Sequence, residues 1–439
     1  MPARKTTRRS TRKSASGEGT LSSSIDALLL AAMERDGSLE TGRYLVTYKE
    51  NAADEGVQSL KAMGLRAADS RDFDAQSVNM SDVGDADALN FSEIGVALVS
   101  GSAMAARGLG VQSEIAADSP IEAIEPEYFV FADSVPGDYL QGFIRATEAI
   151  ARDIGHFRNP LEQEEEVDAQ VVGATWGLVR CKVPQSLRSG FGMRVAVLDT
   201  GLDLGHPDFA GRQIITNTFV GQPPQDLHSH GTHCIGTACG PKAPPGTTPR
   251  YGIAYRAPIY VGKVLSNSGS GSTASVLAGM NWAIANKCVV ISMSLGSNAP
   301  VQAAYTAAGA AALSKGCLIV AAAGNAGPNV ATGAPANSPT IMAVASVDSN
   351  LNPSAFSQSG KIEISGPGRD VYSSVPRPTR YGVKSGTSMA TPHVAGCAAL
   401  WAETSPNLRG QALWNRLLAS ARPLAFPPTR VGRGLVQAP

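Results

Sequence analysis

From Trp176 onward the chain repeats one rhythm, a short and almost continuous apolar run followed by a helical stretch. The runs read "RVAVLDTG", "IYVGKVL", "CVVISMSLG", "CLIVAAAGN" and "IMAVASVD", and "STASVLAGMNWAIANK" and "AAYTAAGAAALSKG" lie between some of them. A strand that is apolar at every position has no face to give to water, so it must be covered on both sides. Helices between such strands supply the cover and make the strands parallel. The expected fold is therefore α/β, a mostly parallel sheet with helices on both faces. In open sheets of this kind ligands bind beyond the carboxyl ends of the strands. The residues that end each run are the ones to read for chemistry.

At 439 residues the chain exceeds one ordinary core. Before the strand-and-helix stretch of residues 173–439, residues 41–133 have a different character. "RYLVTYKE" and "EIGVALVSG" read as strands, "DEGVQSLKAMGL" and "SAMAARGLGVQSE" as helical pieces, and "IEAIEPEYFVFAD" as a closing extended segment. That order predicts a small α+β domain, ferredoxin-like, an antiparallel sheet with helices on one face. Residues 134–172 hold a periodic helix, "YLQGFIRATEAIARDI", and the acidic "LEQEEEVDAQ", and read as a linker. Residues 1–40 open with the acid-free "MPARKTTRRSTRK" and read as a disordered basic tail.

Lys+Arg and Asp+Glu each number 37, which gives no reason to expect a nucleic-acid partner. No apolar run is long enough to cross a bilayer; the best, "ALLLAAM" at Ala27–Met33, is short and followed by charges. The six cysteines form neither C-x-x-C pairs nor a disulfide scaffold, and Cys288 and Cys317 open apolar runs as small hydrophobes would.

At the strand ends the first run closes in Asp199, a costly carboxylate to bury unless a partner faces it. A turn-capping Asp before Gly201 is the plainer reading. "HSHGTHC" then places His228, His230 and His233 within a few residues. Zinc is one reading, but no acidic or thiolate cluster completes a site. The other makes His230 a general base oriented by Asp199. The fourth run ends in Asn325, either a left-handed turn residue or an amide donor to an oxyanion. Ser388, in "GTSMATPHVAG", is either the cap of a helix or a nucleophile at a helix start, with Pro392 expected in the first turn.

"VLDTG", "HGTHC", "AAAGN" and "GTSMATPHVAG", in that order, resemble the four motif blocks of the subtilisin-like serine proteases. "DLGHPDF", "SGSGS", "SLGS" and the "GPG" of Gly366–Gly368 fall where that family has equivalents, and the resemblance covers about Trp176 to Gln437. It implies a serine endopeptidase. Asp199 would orient His230, His230 would take the proton of Ser388, and Asn325 with the Ser388 N–H would hold the oxyanion. Gly269, Ser270 and Gly271, and Ser294, Leu295 and Gly296, resemble the two backbone rails for an extended peptide. Ala322, Ala323 and Gly324 would line the pocket for the residue before the scissile bond, with Gly333 at its floor. No acid occurs in these segments, so apolar or broad specificity is expected.

The resemblance also implies that residues 41–133 are a propeptide, at once folding aid and inhibitor, with a maturation cut between Ala132 and Gly173. His228 and His233 become supporting residues, and Cys234 resembles the thiol beside the base in members sensitive to mercurials. No cofactor is required for the chemistry and no metal is assigned. Structural calcium stays open: Asp208 offers one ligand, but "PKAPPGTTPRYGIA" lacks the family's Asn-containing calcium loop. Protein or peptide substrates and a monomeric state are expected. The family suggests a secreted enzyme, a cytoplasmic one being the alternative because no export signal is evident. A transpeptidase or macrocyclase, a silent binding protein and a zinc-binding regulator are the competing functions.

Overall fold

The computed structural model describes residues 20–35, 39–107, 118–132 and 173–439. The expected linker helix, the acidic maturation stretch and residues 1–19 lie outside them.

The front of the chain supplies strands β1 (Glu40–Tyr48), β2 (Ala67–Asp69), β3 (Ala88–Phe91), β4 (Val96–Val99) and β5 (Ile121–Phe131). They form a sheet in the order β2-β3-β4-β1-β5, antiparallel except between β2 and β3. Alternation along the strands gives the sheet two apolar faces. Val46, Tyr48, Ala97 and Val99 pack with Val57 and Leu60 of helix Ala53–Ala62 and with Met104 of helix Gly101–Ala106. Leu45, Leu89 and Leu98, from the opposite face, share a core with Leu277 and Ala304 of the second part of the chain. β3 escapes the sequence pattern because "ALNF" is only four residues long and carries Asn90.

Within the expected tail, residues 25–35 are instead a helix, Ile25–Arg35. The reason is visible in its spacing: Ile25, Leu28 and Ala32 are buried, and Leu28 and Ala32 pack on Phe129 of β5. The unstructured reading therefore extends too far into the chain.

The second sheet is parallel throughout. β6 (Val195–Asp199), β7 (Ile214–Thr218), β8 (Ile259–Lys263), the short β9 (Ser270–Ser272), β10 (Val290–Met293), β11 (Leu318–Ala322), β12 (Met342–Val347) and β13 (Ile364–Pro367) follow in sequence. Without β9 they order as β13-β12-β11-β10-β6-β8-β7. Val195, Val197, Val290, Leu318 and Val320 face one core, and Ala196, Leu198, Ile291, Ile319 and Ala321 the other. The first core is closed by helices His230–Cys239 and Thr387–Thr404, the second by Thr273–Ala285 and Ala303–Ser314. A hairpin, β14 (Val371–Ser374) with β15 (Tyr381–Lys384), packs on the His230–Cys239 helix. No helix of the described residues is long and apolar enough to cross a membrane.

The Thr387–Thr404 helix crosses beneath β10 to β13. Pro392 is its sixth residue, one turn deeper than the sequence reading placed it. A proline there cannot donate to the carbonyl four residues back. That carbonyl belongs to Ser388, and it accepts instead from Ser294 Oγ at 2.7 Å and from Cys234 Sγ at 3.6 Å.

Candidate active site

Asp199 is the last residue of β6, and the chain turns at once. Thr200 N–H donates to Asp199 Oδ1 at 2.7 Å, and His230 Nδ1 donates to the same oxygen at 2.8 Å. The two side chains are buried. His230 opens the His230–Cys239 helix, and that helix can begin here because Gly231 has no side chain. A Cβ at Gly231 would stand 2.3 Å from the Gly201 carbonyl oxygen. Burial works against a charged imidazole, but the adjacent Asp199 carboxylate outweighs it and holds the His230 pKa well above the ordinary histidine value. His230 Nε2 makes no hydrogen bond.

Ser388 is the second residue of the Thr387–Thr404 helix, whose cap position is Gly386 without a side-chain cap bond. Capping therefore does not explain the serine. Its Oγ donates toward Ala132 O at 3.3 Å and Ser294 O at 3.4 Å. Asn325 follows β11 through Gly324, which sits at φ +111°, a conformation that suits glycine. Thr387 N–H and Oγ1 donate to Asn325 Oδ1 at 2.8 and 2.9 Å, which fixes the amide beside Ser388.

A pocket opens next to these groups. Ala322, Ala323, Gly324 and Gly333 line it, and so do Leu295 and Gly296, which the sequence reading assigned to a backbone rail. Ser297, Asn298, Ala334, Gln358 and Thr387 line it too, and nothing in their local sequence marks them. No charged side chain is among the lining residues. Ser270, Gly271 and Ser272 form β9, which pairs antiparallel with Phe131, Val130 and Phe129 of β5. On the other side Phe131 exchanges two 3.0 Å backbone bonds with Gly296, and Ala132 N–H donates to Gly269 O at 2.9 Å. The end of β5 is thus a strand laid between two rails, with its last described carbonyl facing Ser388.

The three histidines do not converge. His233 Nε2 donates to Val371 O at 2.9 Å, and the His228 ring lies edge-on to His230 at 6.3 Å. Asp208 does not fit a calcium ligand set either. Its carboxylate accepts from the Tyr251 hydroxyl and, at 2.9 and 3.1 Å, from the Tyr381 hydroxyl.

Asp199 and His230 thus meet at the carboxyl end of β6 in a doubly covered parallel sheet, and Cys234 Sγ lies 3.9 Å from His230 Nδ1 and 3.6 Å from the Ser388 carbonyl oxygen. The model of the Subtilase family matches residues 190–434. An alkaline protease of Alkalihalobacillus alcalophilus is 37% identical over 331 residues, 74% of this chain and 84% of that protein. Subtilisin Savinase of Lederbergia lenta is 40% identical over 269 residues, 60% of this chain and 96% of its own length. Thermitase of Thermoactinomyces vulgaris is 41% identical over 235 residues, 52% and 81% of the two chains. The chain belongs to the subtilase family and is a serine endopeptidase, in a family whose chemistry requires no cofactor.

Proposed function

We propose that Asp199, His230 and Ser388 form the catalytic triad and that the chain is made as a self-processing zymogen. Asp199 holds the imidazole by Nδ1, which leaves Nε2 to take the Ser388 proton as Oγ attacks a peptide carbonyl. The backbone N–H of Ser388 and the Asn325 amide stabilise the oxyanion. The acyl-enzyme is then resolved by water. The observation that carries this reading is the 2.8 Å Asp199–His230 bond, with Cys234 Sγ 3.9 Å from His230 Nδ1 and 3.6 Å from the carbonyl oxygen of Ser388.

Residues 41–133 act as inhibitor. In support, β5 occupies the substrate rails and two of its glutamates close the starts of protease helices. Glu125 accepts from Ala303 and Ala304 N–H at 3.0 and 2.8 Å, and Glu127 accepts from Ala274 N–H at 2.9 Å. Glu127 is fully buried and paired at 2.6 Å with Arg43. The uncharged pocket favours apolar or small polar side chains before the scissile bond. Substrates are proteins or peptides, the enzyme works as a monomer, and the family resemblance favours secretion.

Purified wild-type chain should split between Ala132 and Gly173 on incubation, as read by intact mass and the new N-terminus. Ser388→Ala should stay whole. Cleavage of the Ser388→Ala chain at the same bond and rate would overturn the self-processing assignment.

A further inference from the structure

Behind His230 lies a second buried carboxylate that the triad does not use. Asp226 is fully buried and follows β7 in the loop that leads to His230. Its Oδ1 accepts from His228 N–H and Ser229 N–H, both at 2.9 Å, and from Thr200 Oγ1 at 3.0 Å. Its Oδ2 accepts from Thr232 N–H at 2.8 Å and Thr232 Oγ1 at 2.7 Å. One carboxylate therefore fixes the residues on both sides of His230. It also holds Ser229 at φ +81°, a left-handed conformation that a serine rarely adopts. Thr200 completes the clamp, because its Oγ1 accepts from Gly231 N–H at 2.9 Å while its own N–H holds Asp199.

The balancing charge comes from β8. Lys263 is fully buried, and its ammonium donates to the Thr200 carbonyl and, at 2.9 Å, to Asn267 Oδ1. Burial pushes its pKa down to about 8 against the pull of Asp226 and Asp199. The remaining titratable groups around His230 are His228 in the preceding loop, Cys234 and His233 on its own helix, and the Asp199 carboxylate. Two buried carboxylates and one ammonium leave the resting cluster with a net negative charge while His230 is neutral. Proton transfer to His230 cancels that charge.

We propose that Asp226 and Lys263 form an electrostatic frame in which Asp226 positions His230 and favours its charged form, and Lys263 limits that preference. Both are positioning residues that act through the imidazole. The proposal rests on His230 being the general base.

The test is the pH profile of kcat/KM on a small peptide amide, using self-processed enzyme. A variant that fails to self-process is cut by tagged wild-type enzyme, which is then removed. Removing a nearby negative charge lowers the pKa of a histidine and removing a positive one raises it. Asp226→Asn should move the acid limb to lower pH, and Lys263→Met should move it to higher pH, each by about half a unit or more. Asp226→Asn and Thr200→Val should also lower kcat roughly tenfold or more with KM within about twofold, and Thr200→Ser should restore kcat. Shifts in the same direction, or no shift in chains that still label with a fluorophosphonate, overturn the frame. If Asp226→Asn does not fold, the sign of the Lys263→Met shift decides alone. A wild type without an acid limb or labelling removes the triad assignment itself, a failure that the variants cannot mimic.

Discussion

At the scale of single residues, the site depends on short-range bonds that the sequence could name only in part. Asp199 ends an apolar run and Asn325 follows one, whereas His230 and Ser388 were read from a histidine cluster and a helix start. Their partners were not readable. Thr387 fixes Asn325 from the neighbouring position to Ser388, and Asp226 clamps the His230 loop, yet as letters a threonine and a loop aspartate look like solvent-facing residues. Asn325→Ala should lower kcat roughly 10²–10³-fold with little change in KM, measured on a peptide amide. Because Asp199 raises the His230 pKa, the neutral ring needed as base becomes dominant only above the ordinary value of 6.5. The acid limb of kcat/KM should therefore have its midpoint above pH 6.5, and a midpoint below 6.5 would contradict the Asp199–His230 coupling.

At the scale of elements, backbone contacts decide where each side chain points. The His230–Cys239 helix approaches the Gly201 turn so closely that Gly231→Ala must displace it. We expect that substitution to cost about 1–3 kcal/mol in stability and to lower kcat, read by thermal melts and kinetics. The Thr387–Thr404 helix carries a second, pH-linked constraint. His393 is buried, and desolvation lowers its pKa to about 4. The unfolded chain then binds a proton that the fold rejects, so stability is complete above pH 6.5, falls as pH drops from 6.5 to about 4 and levels off below that. The loss amounts to about 3 kcal/mol. Melts of the Ser388→Ala chain from pH 7 to 4 should show it, and His393→Gln should flatten the dependence.

The elements that the sequence reading missed share a physical cause. β7 is a half-buried edge strand with mixed polarity, β13 contains Gly366 and Pro367, and β14 with β15 form a hairpin of four-residue strands. Periodicity is a statement about burial, and segments of four or five residues with mixed polarity or a Gly-Pro pair carry little of it. The Ile25–Arg35 helix is the opposite case, since its spacing was present but the basic residues before it dominated the reading.

At the scale of the whole molecule, the front sheet completes itself on the protease. β9 extends it as an edge strand, and its second apolar face shares a core with the Thr273–Ala285 and Ala303–Ser314 helices. Such pairing between distant segments could not be read from local pattern. Glu127 ties the two parts through a buried ion pair with Arg43 and a bond to Ala274 N–H. Breaking one partner of a buried pair is costly, so, on the proposed zymogen reading, Glu127→Ala should weaken the hold of residues 41–133 on the protease by about tenfold or more. In the processed full chain this appears as a shorter lag before peptide hydrolysis begins.

The central claim is that Ser388 is an activated nucleophile. Incubation with a fluorophosphonate, followed by peptide mass mapping, tests it directly. We expect one covalent adduct, on Ser388, that is absent from Ser388→Ala and slowed in Asp199→Asn. Labelling at another residue, or none on a folded and processed chain, would contradict the claim.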